Sequence, residues 1–174
     1  MDPKIILSFV SSSIRVVREL SSLELYKNKT SIKKYKKLIK SVAVIIEFKE
    51  DIKGCIIFEF DKGISVKIVE NMVKQAYNKT IESMSNEEFR EIFNDAIGEL
   101  ANQISGSAVT ELYNTGIKIQ ISPPLVAINK ENILISNKQY VESILDTIYG
   151  SMVISILFDE LFDIDVLKKE LEKQ

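Results

Sequence analysis

The sequence predicts an α/β protein, a single domain of two layers in which long helices pack on a mostly antiparallel β-sheet. Three observations lead there. Apolar residues recur at spacings of three and four over residues 2 to 21 and again from Phe89 to Ala108, which is helical periodicity. Two runs rich in β-branched residues, SVAVIIEF (41 to 48) and GCIIFEF (54 to 60), are joined by the polar link KEDIK and read as a hairpin. The 174 residues contain no linker-like stretch, repeat or low-complexity segment, and 45% hydrophobic with 28% charged content suits one folded core.

Each element has its own signal. In the first helix, residues 2 to 21, Ile5, Ile6, Phe9, Ile14, Val17 and Leu20 form the apolar face. Residues 27 to 40 hold seven lysines and no acid, with Tyr35 as the lone aromatic. A nucleic-acid patch would interleave aromatic platforms, so a solvated loop and strand edge is the better reading. After the hairpin, residues 63 to 77 form a second helix starting near Gly63. Ser85 caps a third, with Glu88 three residues on completing a capping box, and that helix runs to about Asn114, where Gly116 stops it. Strands are expected at 117 to 121 and 132 to 136, then a hairpin of 140 to 148 with 151 to 158 turning on Tyr149-Gly150. The last segment, DELFDIDVLKKELEKQ, suggests a C-terminal helical extension over 159 to 174.

Composition excludes much chemistry. A net charge of −2 gives no global attraction to nucleic acid or anionic membrane. No apolar run reaches the ~18 to 20 residues that span a bilayer, and the N-terminal stretch lacks the order of a signal peptide, so a cytoplasmic protein is expected. One cysteine, Cys55, forms no internal disulfide and, in a strand-like run without a following arginine, is read as a core residue. With no histidine in the chain, Ser-His-Asp and Cys-His catalysis, phosphohistidine transfer and histidine metal sites all fall. No metal site is expected.

The third helix carries the candidate site. Phe89, Ile92, Phe93, Ala96, Ile97, Leu100, Ile104 and Ala108 make its apolar stripe. Asp95, Glu99 and Asn102, at offsets of four and seven residues, fall within an arc of roughly 60° about 180° from that stripe, so all three look outward and can meet one target. Gly98 and Gly106 accompany them. Glycine inside a helix costs about 1 kcal/mol against alanine, and a low-relief surface that another backbone can approach is one reason to keep it. Taken alone, an exposed acid-and-amide face is most often just a solvated face.

The string DAIGELANQISGSA and the downstream ISPPLV nevertheless resemble the CheX branch of the CheC/CheX/FliY family of chemotaxis phosphatases. The family's signature is Asp or Ser, three residues, Glu, two residues, Asn, then a Pro a little over twenty residues later. Here it reads Asp95, Glu99, Asn102 and, after 21 intervening residues, Pro124. A second pair, Glu91 and Asn94, has Glu87 where Asp or Ser is wanted and Gly116 near the proline position, and is set aside. The single complete copy matches CheX rather than CheC, which carries two.

The resemblance implies a CheX-like fold, a homodimer, and dephosphorylation of the aspartyl phosphate of a CheY-like response regulator that brings its own Mg²⁺. It implies that Glu99 docks on the regulator's active-site lysine and that Asn102 positions the attacking water. Asp95 contacts the partner or orients the other two, and Pro124 shapes its loop. The alternative from another class is a non-catalytic module that captures a receiver domain or a flagellar-switch component through the same face.

Overall fold

The computed structural model describes residues 3–158 together with residues 167, 169 and 171. Over these residues three long helices cover one face of a seven-stranded sheet in which every pairing is antiparallel. In chain order the elements are α1 (Pro3–Ser21), β1 (Tyr26–Lys37), β2 (Val42–Glu50), β3 (Gly54–Phe60), α2 (Lys62–Tyr77), α3 (Asn86–Asn114), β4 (Ile119–Ile121), β5 (Leu125–Ile128), β6 (Leu134–Thr147) and β7 (Gly150–Phe158). The strands lie in the order β1-β6-β7-β3-β2-β4, and β5 pairs with β2 beside β4.

The central strands are apolar on both faces, which is why β2 and β3 read as continuous hydrophobic runs rather than alternating ones. Val44, Ile46, Phe48, Ile56, Phe58 and Phe60 meet the helices, together with Phe9 and Val17 of α1 and Ile64 and Ile68 of α2. Ala43, Ile45, Cys55 and Ile57 point the other way, into a second cluster with Leu38, Tyr140 and Leu157. Cys55 is buried there, as a core residue. Leu167 and Leu171, four apart and helical, are buried in the same cluster. The rest of the expected C-terminal extension lies outside the described residues.

Two expectations about strands need correction. The segments 132 to 136 and 140 to 148 are not separate: β6 runs unbroken from Leu134 to Thr147 because β1 pairs along nearly its whole length. Residues 27 to 40 are the expected strand edge and loop: strand through Lys37 at the edge of the sheet, mostly exposed, and no regular element at 38 to 40. β5 was not expected, since the Pro-Pro pair masks a four-residue strand that follows it directly. Helix boundaries held to within a residue or two. The Ser85 hydroxyl accepts the Glu88 N–H at 3.2 Å, and α3 ends with Gly116 at φ 90. The Gly116 N–H bonds the Tyr113 carbonyl and the Ile117 N–H the Leu112 carbonyl, which is the Schellman arrangement.

The β6–β7 hairpin is latched to the start of α2 by Asp61. Its carboxylate accepts from Lys40 Nζ at 2.7 Å, from the Ser151 N–H at 2.8 Å and from the Ser151 hydroxyl at 3.1 Å. Burial by itself would raise this carboxyl, but the Lys40 hydrogen bond and charge and the two Ser151 donors outweigh it and hold the group below its ordinary value. A depressed folded pKa contributes stability that is complete above the unfolded value of about 3.9 and is lost as pH falls through the lower folded value. Asp61→Asn is therefore expected to cost about 1 kcal/mol at neutral pH, a modest figure for a side chain 43% exposed. Urea unfolding should show the difference from wild type shrinking as pH falls below 4; a difference independent of pH would rule out the charged latch.

Candidate functional site

α3 is held from below and from one side. Phe93, Ile97, Leu100, Ala101, Ile104, Ala108 and Leu112 are buried, with Phe89, Ile92 and Ala96 half-buried against the same core. α1 fixes the helix laterally through a polar seam: Ser11 Oγ donates to Glu111 at 2.9 Å, Ser12 and Ser107 hydroxyls lie 3.0 Å apart, and Arg15 pairs with Glu111 at 3.2 Å. A helix fixed on these sides has little freedom to roll, so its outer face is presented in one orientation.

That outer face carries Asp95, Glu99 and Asn102, all exposed, as the helical wheel requires. Together with Asn94, Gly98, Pro124 and Val126 they line a shallow depression of about 480 Å³ between α3 and the chain leading into β5. Gln103 Nε2 donates to Glu99 Oε1 at 2.7 Å, so Glu99 is tethered one turn along while its other oxygen is uncommitted among the described residues. Asp95 and Asn102 make no side-chain hydrogen bond to the described residues. Their polar atoms are open to whatever covers the face.

The Pro-Pro pair explains how the second wall arises. β4 and β5 both pair with the same edge of β2, β4 opposite Phe48–Glu50 and β5 opposite Val42–Ile45. Between them Ser122 bonds Glu47 twice, its N–H to the Glu47 carbonyl at 2.9 Å and its hydroxyl accepting the Glu47 N–H at 3.0 Å. Prolines lack the N–H that a ladder needs and are tolerated at such an edge, where they interrupt the strand. The interruption sets Pro124 and Val126 against α3 at Gly98.

The two helical glycines differ. Gly106 is half-exposed with nothing within 4 Å of a would-be Cβ. Gly98 is buried, not outward, and its Cβ would lie 3.5 Å from Val126 Cγ2 and 3.8 Å from Pro124 Cγ. Sequence reasoning missed three residues of the site. Asn94 stood in the pair that was set aside, Gln103 carried no pattern, and Val126 could be found only once the fold placed β5.

The helix-on-sheet fold thus carries exposed acid and amide groups beside an open depression. Comparison with known proteins gives the family. The model of the chemotaxis phosphatase CheX matches residues 42–148, more than half of the 174 residues, and the chain belongs to that family.

Solved structures agree on the fold. A CheC-like superfamily protein from Shewanella sp. PV-4 is 25% identical, with TM-score 0.74 over 92% of this chain and 100% of its own. The chemotaxis protein CheX from Desulfovibrio desulfuricans is 19% identical, with TM-score 0.74 over 89% and 99%. A CheX–CheY–BeF₃–Mg²⁺ complex from Borrelia burgdorferi is 26% identical, with TM-score 0.69 over 89% and 97%. No curated protein sequence matches the chain. Among the described residues no helix is long and apolar enough to cross a membrane.

Proposed function

We propose that this protein dephosphorylates the aspartyl phosphate of a CheY-like response regulator. The observation that carries the reading is the exposed pair Glu99 and Asn102 on one face of α3, with an uncommitted carboxamide and a tethered carboxylate, in a chain of the CheX family. The complex of a relative with CheY supports the partner class.

An aspartyl phosphate is a reactive acyl phosphate, so rate is gained by placing a water in line with phosphorus rather than by supplying a nucleophile. The water oxygen bonds to phosphorus while the bond from phosphorus to the aspartyl oxygen breaks. The departing carboxylate, with an ordinary pKa near 4, leaves without a proton, and the water's proton passes to the phosphate product. Asn102 suits the orienting role because a carboxamide both donates and accepts. Glu99 pairs with the regulator's active-site lysine, and Asp95 flanks the contact. The Mg²⁺ is the regulator's own. A homodimer, weighed by light scattering, is part of the same proposal.

The test is phosphate release from a phosphorylated CheY-like regulator with Mg²⁺ and catalytic amounts of this protein. Glu99→Ala should raise KM about tenfold, the worth of one charge-assisted contact, and reduce the dependence of KM on salt. An unchanged KM would remove the lysine contact. Binding without turnover would favour a capture module.

A further inference from the structure

We propose that the depression between α3 and the Pro124–Val126 segment seats an aliphatic side chain of the receiver domain, and that Gly98 sets its depth. This inference rests on the function proposed above. Asn102 itself lines the depression, so a partner that brings its aspartyl phosphate to Asn102 must cover the depression as well. A specific interface buries about 800 Å² on each partner, far more than the mouth of this depression. One wall is polar, formed by Asn94, Asp95, Glu99 and Asn102; the other is Pro124 and Val126, both half-buried and apolar. Covered but unfilled, the apolar wall would lose its contact with water and gain no packing, so the partner side chain that fits it is aliphatic.

Gly98 supplies the second argument, because the fold does not demand it. Compare Gly54, where a Cβ would lie 2.0 Å from the Leu157 carbonyl oxygen and glycine is obligatory for the close approach of β3 and β7. At Gly98 a Cβ would meet Val126 and Pro124 only at ordinary contact distance, in a regular helix where alanine is the more stable choice. What alanine would take is space at the bottom of the depression. The glycine therefore serves what docks there.

The experiment compares wild type, Gly98→Ala and Val126→Thr by thermal melting, by KM and kcat for the phosphorylated regulator, and by affinity for a beryllofluoride-activated receiver domain. Gly98→Ala should raise Tm by roughly 1 to 4 °C yet raise KM and Kd about fivefold, with the loss falling on KM rather than kcat. Val126→Thr keeps the shape of the wall and adds a hydroxyl, and should raise KM and Kd severalfold. Unchanged KM and Kd in both variants would overturn the seat, as would a loss confined to kcat, which would mean that Gly98 acts on the geometry of Asn102. If wild type binds without turnover, the phosphatase reading fails while the Kd values still decide the seat; if wild type neither binds nor turns over, both fail.

Discussion

Asn102→Ala is expected to lower kcat for aspartyl-phosphate hydrolysis by about 10²- to 10³-fold, the usual cost of removing one positioned polar group from a reacting centre. Affinity for a beryllofluoride-activated regulator should stay within about twofold. Asn102 is exposed and its side chain has no hydrogen bond to the described residues, so its truncation removes nothing from the fold, and Tm should not move. The division between kcat and affinity is the informative part. A residue that merely docked would shift KM, whereas one that orients the water acts only as the transition state forms. Single-turnover decay of the phosphorylated regulator checks this directly, and an Asn102→Ala protein that still accelerates decay would sink the water-orienting role.

The second large effect is on stability and lies far from the site. Lys36 and Glu59 are 1% and 0% exposed and form a buried ion pair. A bulge in β1, with Tyr35 at φ 61, breaks the alternation of that edge strand and brings Lys36 inside while its neighbours stay exposed. Glu59 also accepts the Ile39 N–H at 2.6 Å, and Glu142 lies 3.9 Å from Lys36 while pairing with Lys33. The Tyr140 hydroxyl, 3.4 Å from Glu142, is pushed up to about 12, first by burial and then by the Glu142 charge and hydrogen bond.

Lys36→Ala removes the cationic partner of Glu59 from the interior and should cost about 3 to 5 kcal/mol. The double change Lys36→Met with Glu59→Leu should recover most of that, leaving chiefly the Ile39 N–H without its acceptor, about 1 to 2 kcal/mol. Urea unfolding of the three proteins decides it. If the single and double variants are equally unstable, packing around Lys36 rather than the buried charge is responsible.

How much of this was legible beforehand follows from what each signal depends on. α1, α2 and α3 and the β2–β3 hairpin are written in local periodicity and in caps such as Ser85, and the structure keeps them nearly to the residue. The outward placement of Asp95, Glu99 and Asn102 follows from helical geometry alone. β5 and the continuity of β6 were not legible, because a strand of four residues after two prolines, or one that crosses a polar stretch, is decided by the partner it pairs with.

The burial of Lys36 was hidden for the same reason. In a run of seven lysines nothing marks one as interior; only the bulge and the carboxylate of Glu59 on another strand select it. Gly98 shows the division within the site itself. The sequence alone determined three helices, a hairpin and a face carrying acid and amide groups, because helix and turn signals act over a few residues. The tertiary structure alone decided that Pro124 and Val126 stand opposite that face with Gly98 beneath them, because contacts between segments more than 20 residues apart are fixed by strand pairing on β2, which leaves no trace in local periodicity.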